Sequence, residues 1–238
     1  MLSQHDLALL AKFDTPTVCN VIELFKVRPQ SAGYMDARIR ALYPSLPPMV
    51  GYAATATFRS AFAPADGRHY GSLEGQVARF AELPGPAVVV FQDIDAPSAA
   101  ATFGEEMCTS YKSFGAAGLI TSGAGRDHEQ LKPLEFPVFC DGLICSHGYP
   151  QILDLHVPVH VGGLAIHPGD LIHGDANGVT TIPLEIASEV AHLCEEFIAA
   201  EEILIGYCRA GNVTVEGYTE ARKAMSAKVK ELGARVRR

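Results

Sequence analysis

The chain has 238 residues, 48% of them hydrophobic, and a formal net charge of −8. That is enough apolar material for a sizeable core in one domain. The acidic balance excludes a nucleic-acid binder that works through a broad basic field. It suits a soluble protein kept apart by like charge.

Six cysteines are scattered through the chain and none forms a Cys-x-x-Cys pair. Free thiols in a reducing cytoplasm are therefore expected, not a zinc knuckle or a redox motif. Ser3, Gln4, His5 and Asp6 interrupt the first apolar residues, unlike a secretory leader. No apolar run is long enough to span a bilayer. The expected protein is cytoplasmic, with neither a membrane nor a nucleic-acid partner.

A short helix is expected over residues 5–13, capped by Ser3. Thr15 reads as the cap of a second helix with Pro16 at its first position. Val18, Val21, Ile22 and Phe25 then form a one-sided apolar stripe. Prolines and glycine break the pattern over residues 26–48, an irregular segment of the kind that often serves function or a neighbouring subunit. Residues 50–58 read as a strand. A helix capped by Ser72 should run to about Leu83, with Leu73, Val77 and Phe80 facing inward.

Residues 87–91 (Ala-Val-Val-Val-Phe) are the clearest buried strand. A helix over 104–114 and a strand over 119–121 follow, so β-α-β order is visible. Parallel pairing of the two strands would bring their ends and the helix start to one region. Further strands are expected over 137–140, 156–161 (interrupted by Pro158), 171–172 and 179–182. Pro183 should open a long helix to Tyr207, with Ile186, Val190, Leu193, Phe197 and Ile198 inside. A polar helix is expected over 219–232. Seven of the chain's 19 basic residues lie from Arg222 onward, which reads as a solvated face.

The chemistry concentrates after the strand at 119–121. Gly118 to Gln130 reads Gly-Leu-Ile-Thr-Ser-Gly-Ala-Gly-Arg-Asp-His-Glu-Gln. Apolar residues give way to a glycine-bearing turn and then to Arg126 and Asp127. Polar residues just past the carboxyl end of a strand are where open α/β sheets bind ligands. The helix start at Gly104, Glu105, Glu106 and Met107 offers free N–H groups to an anion. Together with the Arg126 guanidinium it could hold one carboxylate from two sides, while Asp127 could hold a hard divalent cation. A 2-oxo acid presents such a carboxylate beside a keto oxygen. The nine histidines read as structural or surface residues, because His156 and His160 are separated by a proline and His167 and His173 by a Pro-Gly turn. There is no Gly-x-Ser-x-Gly elbow and no complete dinucleotide fingerprint. Lys112 and Lys132 flank the region as Schiff-base candidates, ranked below the metal reading.

Across these segments, from Asp14-Thr15 to about Gly211, the chain resembles the RraA-like family. That family includes the class II 4-hydroxy-4-methyl-2-oxoglutarate aldolases, whose members have carried the label demethylmenaquinone methyltransferase. The resemblance is carried by Gly104-Glu105, Gly118 through Asp127, Pro137-Val138-Phe139, Pro168-Gly169-Asp170, Gly174-Asp175 with Gly178-Val179, and Pro183. It implies a single α/β domain over residues 1–238, a swivelling-type β/β/α sandwich. The N-terminal helices would take 1–48, the α/β core 49–183 and the C-terminal helices 184–238. It implies a homotrimer or hexamer and a small-molecule 2-oxo acid substrate.

Magnesium or manganese would be held by Asp127, completed by Glu201 or Glu202 of a neighbouring subunit. Arg126 would bind substrate and stabilise a pyruvate enolate. The backbone at Gly104, Glu105, Glu106 and Met107 would cradle the pyruvate carboxylate. The implied activity is cleavage of a 4-hydroxy-2-oxo acid, with oxaloacetate decarboxylation beside it. The alternative is a non-catalytic, protein-binding inhibitor of a ribonuclease, like the family's namesake. Ser122, Gln130, Asn20 and Ile205 stand where the pattern more often has acids or, at 205, an arginine.

Overall fold

The computed structural model describes residues 2–65, 67 and 72–237. The chain starts with α1 (Gln4–Leu10), where Ser3 and Asp6 form a reciprocal capping box. It ends three residues earlier than the sequence pattern suggests. Helix α2 (Thr15–Phe25) is capped by Asp14, not Thr15: the Asp14 carboxylate accepts from Thr17 N–H. Thr15 instead turns inward and is buried.

The irregular stretch is interrupted only by β1 (Arg40–Ala41). Then come β2 (Met49–Arg59), α3 (Leu73–Ala78) with a 3-10 turn after it, and β3 (Ala87–Asp93). Ser72 precedes α3 but makes no side-chain cap. Leu73, Val77 and Phe80 pack against the core, as expected.

Next are β4 (Ala101–Phe103), α4 (Glu105–Ser113), β5 (Gly118–Thr121) and β6 (Ala124–Gly125). They are followed by α5 (His128–Leu131), β7 (Val138–Cys140), β8 (Gln151–Leu155), β9 (Val159–Val161) and β10 (Leu164–Ile166). The β-rich half closes with β11 (Leu171–Asp175) and β12 (Gly178–Ile182). Two long helices finish the chain, α6 (Ala187–Arg209) and α7 (Val215–Val236).

Pro183 does not open α6. It begins a turn in which Ile186 N–H reaches the Pro183 carbonyl, and the helix starts at Ala187. Ile198 lies outside the inner face, 42% exposed, while Val190, Leu193 and Phe197 are buried. Helix α7 starts earlier than expected because Thr214 caps it through Gly217 N–H. Of the strand expected over 156–161, only Val159–Val161 forms, as β9. His156 takes a left-handed φ of 51°, which ends β8. The Gly162–Gly163 pair, both at positive φ, turns β9 into β10. A two-glycine hairpin turn of this kind matches strand twist.

The main sheet has eight strands in the order β1-β7-β5-β3-β2-β11-β12, with β8 also paired to β2. Strands β2, β3, β5 and β7 run parallel. Strand β2 is long enough for β11 to pair with its first half and β8 with its second. Side chains of β3 alternate between two cores. Val89 and Phe91 join the α4 side; Val88 and Val90 join the β9–β10 side. Both faces are covered, so the strand reads as an unbroken apolar run. A third cluster packs α1, α2 and α6 over Tyr52, Leu171 and Ile182. The parallel strands all end at one rim, where the short parallel pair β4–β6 forms a second layer. No described helix is long and apolar enough to cross a membrane.

Candidate active site

The site is built at that rim. Past β5, residues 123–126 are threaded between β4 and the segment after β7. Gly125 N–H donates to the Gly142 carbonyl at 2.9 Å, Asp141 N–H to the Gly123 carbonyl at 2.9 Å, and Arg126 N–H to the Phe103 carbonyl at 3.1 Å. A side chain at position 125 would overlap the Phe103 ring, so only glycine allows this approach.

The turn then places Asp127 in the left-handed region, φ 59° and ψ 40°. Its Oδ2 accepts from Glu105 N–H at 3.0 Å and lies 3.5 Å from Arg126 Nε. The two side chains are 28% and 33% exposed, open to solvent but anchored. Gly104 is the residue before α4, and a Cβ there would fall 2.5 Å from Asp127 Oδ2. The small residue is what lets the carboxylate reach the helix start.

Helix α4 makes its first regular bond from Cys108 N–H to the Gly104 carbonyl. The N–H groups of Glu105, Glu106 and Met107 precede it and have no acceptor within the helix. That of Glu105 is taken by Asp127, so Glu106 and Met107 supply the amides that remain for a ligand. Arg126, Asp127 and the 104–107 helix start are thus brought together as the sequence suggests. Burial, reinforced by Asp127 and Cys140 nearby, pushes the Cys108 thiol far above its usual range. It is a packed apolar group beneath the site, not a nucleophile.

Among the described residues, no three His, Cys, Asp or Glu side chains converge as a metal cluster. A closed, fully protein-ligated site is therefore not built here. The donor set does fit a hard divalent cation that keeps most of its water and takes one carboxylate oxygen. Asp127 Oδ2 is spoken for, and Oδ1 is the oxygen left to face such an ion.

Glu201 and Glu202 lie elsewhere, on α6. Glu202 is exposed and pairs with Arg209 of its own helix at 3.2 Å. Glu201 lines a groove of about 450 Å³ between α2, α6 and α7, with Asn20, Glu23 and Lys230. Burial raises its carboxyl pKa. Lys112 and Lys132 are both exposed, and the Lys112 amine donates to the Leu134 carbonyl.

The histidines divide as expected. His173 is fully buried and structural: Nε2 donates to the Leu10 carbonyl (3.1 Å) and Nδ1 accepts from Thr15 Oγ1 (3.0 Å). His128 is partly exposed beside the turn and pairs with Glu129.

Two features at the rim escaped the sequence reading. Asp93, the last residue of β3, is 9% exposed, and its Oδ2 is buried without a hydrogen-bond partner. Burial raises its carboxyl pKa. Its backbone N–H donates to Ser122 Oγ at 2.9 Å, which gives Ser122 a local role in joining the ends of β3 and β5. The second feature is Tyr43, from the irregular stretch, whose hydroxyl donates to the His128 carbonyl. No periodicity marks either residue, because each acts through a contact distant in sequence.

An α/β sandwich with a carboxylate and a guanidinium set against a helix start, at the carboxyl rim of its parallel strands, defines a small-molecule-binding class of site. The RraA-like family model, described as Aldolase/RraA, matches residues 15–181. The chain belongs to that family.

A protein of Halalkalibacterium halodurans, provisionally named a 4-hydroxy-4-methyl-2-oxoglutarate aldolase, is 40% identical over 107 residues, covering 44% of this chain and 50% of its own. The chain thus spans about half the length of that curated relative. An uncharacterised Pseudomonas syringae protein of known crystal structure superposes with a TM-score of 0.71 at 20% identity, covering 93% of this chain and 94% of its own. Streptomyces coelicolor RraAS2, described as an unusual member of the RNase ES inhibitor RraA family, superposes at 0.66 with 23% identity, covering 84% and 96%. These structural likenesses establish the swivelling-type sandwich expected from the sequence.

Proposed function

We propose that the protein is a metal-dependent lyase that cleaves a 4-hydroxy-2-oxo acid into pyruvate and a second oxo acid. Oxaloacetate decarboxylation would share the site. The observation that carries this reading is the convergence of the Asp127 carboxylate, the Arg126 guanidinium and the free amides at the start of α4. The provisional aldolase name of the Halalkalibacterium relative supports it.

The substrate carboxylate would sit on the Glu106 and Met107 N–H groups, where the helix end favours an anion. Arg126 would face the C2 oxygen. A magnesium or manganese ion held through Asp127 would supply electrophilic polarisation of the keto group.

The bond that breaks lies between C3 and C4. The 4-hydroxyl loses its proton and becomes the carbonyl of the released oxo acid. The electron pair of the broken bond moves into pyruvate enolate, whose C3 then takes up a proton. In oxaloacetate the same pair is left when carbon dioxide departs, so one charge-stabilising site serves both reactions. Arg126 offsets the negative charge at C2 in a partly dehydrated corner, where a fixed cation counts for more than in water.

The family fits a homo-oligomer, here a trimer or hexamer, in which a neighbour's glutamate completes the site. Glu202, exposed on α6, is better presented to a neighbour than the groove-lining Glu201.

The test is pyruvate release from oxaloacetate and from 4-hydroxy-4-methyl-2-oxoglutarate, with magnesium and after EDTA. Metal-dependent release is the expected result. No turnover with any divalent metal would reject the lyase and leave the inhibitor of ribonuclease activity as the reading to pursue. Activity that survives EDTA but is lost to borohydride would point to a lysine.

A further inference from the structure

We propose that Tyr43 is a positioning residue for the Asp127 carboxylate, holding the backbone turn on which that carboxylate is presented. The kinetic arm of this inference rests on the lyase reading; its structural arm does not.

Tyr43 belongs to the irregular segment between α2 and β2. Its position is set one residue earlier, where Leu42 N–H donates to the Val138 carbonyl at 2.9 Å and extends the pairing of β1 with β7. From that fixed edge the phenol crosses to the start of α5. Its hydroxyl donates to the His128 carbonyl, and its ring centre lies 5.3 Å from the His128 imidazole at a 34° tilt. His128 is the residue directly after Asp127.

The backbone there needs holding. Asp127 adopts φ 59°, a left-handed conformation in a residue with a side chain. That region costs about 1 kcal/mol for an L-residue and persists where surrounding contacts over-determine it. Leu131 N–H reaches the Asp127 carbonyl at 2.9 Å, and Glu105 N–H holds the carboxylate. Tyr43 supplies the hold on the next peptide, from an element with no other part in the turn.

Burial, with Cys108, Glu129 and Cys140 close by, pushes the phenol up to about 12. It therefore stays protonated and donating at any ordinary working pH. The phenol acts through the His128–Glu129 peptide, which follows Asp127 in the turn. Loosening that peptide lets the carboxylate leave the start of α4, which removes the one fixed oxygen proposed for the cation.

The test is Tyr43→Phe, which keeps the ring and deletes only the hydroxyl. In the metal-free protein, amide exchange across residues 127–131 is expected to quicken about tenfold, the loss of roughly one hydrogen bond. Exchange in the main sheet should not change, and the melting temperature should stay within about 3 °C. Calorimetric titration with magnesium should show weaker binding. With oxaloacetate, kcat should fall about tenfold while KM changes less than about twofold.

Unchanged exchange at 127–131 overturns the proposal. So does faster exchange spread over the whole chain with a falling melting temperature, which would make Tyr43 an ordinary packing residue. If the wild-type protein shows no turnover, the lyase reading fails by itself, and the exchange measurement alone decides the role of Tyr43.

Discussion

Two polar clusters in this molecule use similar residues to opposite ends. One is the Arg126-Asp127 turn at the carboxyl rim of the parallel strands. The other joins α2 to β11. There His173 is clamped between Leu10 and Thr15, and Asp175 accepts Thr15 N–H at 3.0 Å and Asn177 N–H at 2.8 Å. His173 is 0% exposed, and both its ring nitrogens have partners.

At the rim, Asp127 and Arg126 keep about a third of their surface in solvent, and Asp127 has one oxygen to spare. A satisfied, dry cluster stabilises the fold and has nothing left to offer a ligand. A half-satisfied, open one contributes little stability and is free to bind. Counting aspartates and histidines does not separate the two; partner accounting does.

The largest expected effect tests the rim. Arg126→Ala and Asp127→Ala should each lower pyruvate release by about 100-fold or more. Melting should shift by only a few degrees, because an exposed pair contributes little to stability. Wild-type rates in either variant would break the comparison on the functional side.

His173→Ala is the mirror experiment. It takes one of two partners from the Leu10 carbonyl, which keeps Phe13 N–H, removes the acceptor of the Thr15 hydroxyl in a dry core, and opens a cavity. A loss of about 3 kcal/mol in urea unfolding is expected, with kcat of the folded protein unchanged. A large fall in kcat with no loss of stability would reverse the assignment.

The same histidine predicts an acid response. Burial lowers its folded pKa below the ordinary 6.5, so its stabilising contribution is complete above about 6.5 and is lost as pH falls below it. Urea midpoints should therefore decline between pH 7.5 and 5.5, and the decline should flatten in His173→Gln. A slope identical to wild type would remove His173 as its source.

The smallest effect concerns Asp93. Its carboxyl is raised by burial from the ordinary 3.8, so it costs stability as pH rises through that region toward neutrality. Asp93→Asn should match or slightly exceed wild-type stability at pH 7.5 and show a shallower fall between pH 4 and 6. A variant markedly less stable at pH 7.5 would show that the hydrogen bond from Asp95 N–H to Oδ1 outweighs the cost of burying the charge.

Much of this was legible before any coordinates. The apolar run at 87–91 announces a strand covered on both faces. Gly123 and Gly125 ahead of Arg126 and Asp127 announce a tight turn at a strand end. Helix starts were read less well, and for one reason. Asp14, not Thr15, caps α2 because Thr15 is drawn into the His173 cluster 158 positions away. No local preference encodes that contact. Strand β8 went unread because its register is set by a bulged pairing with β2, and β10 because the turn that makes it lies in Gly162 and Gly163, not in the strand itself.

Residue order by itself settled the β-α-β order of the centre and the pair of charged residues past its second strand; the parallel pairing of the strands came from the structure. The first two follow from local periodicity, small residues and backbone freedom. Tertiary structure alone decided which oxygen of Asp127 is free, which amides of α4 remain open, and that Tyr43 reaches the turn. Each of these depends on groups far apart in the chain meeting within hydrogen-bond distance. Burial, in turn, separates the histidine that only supports the fold from the carboxylate left open for chemistry.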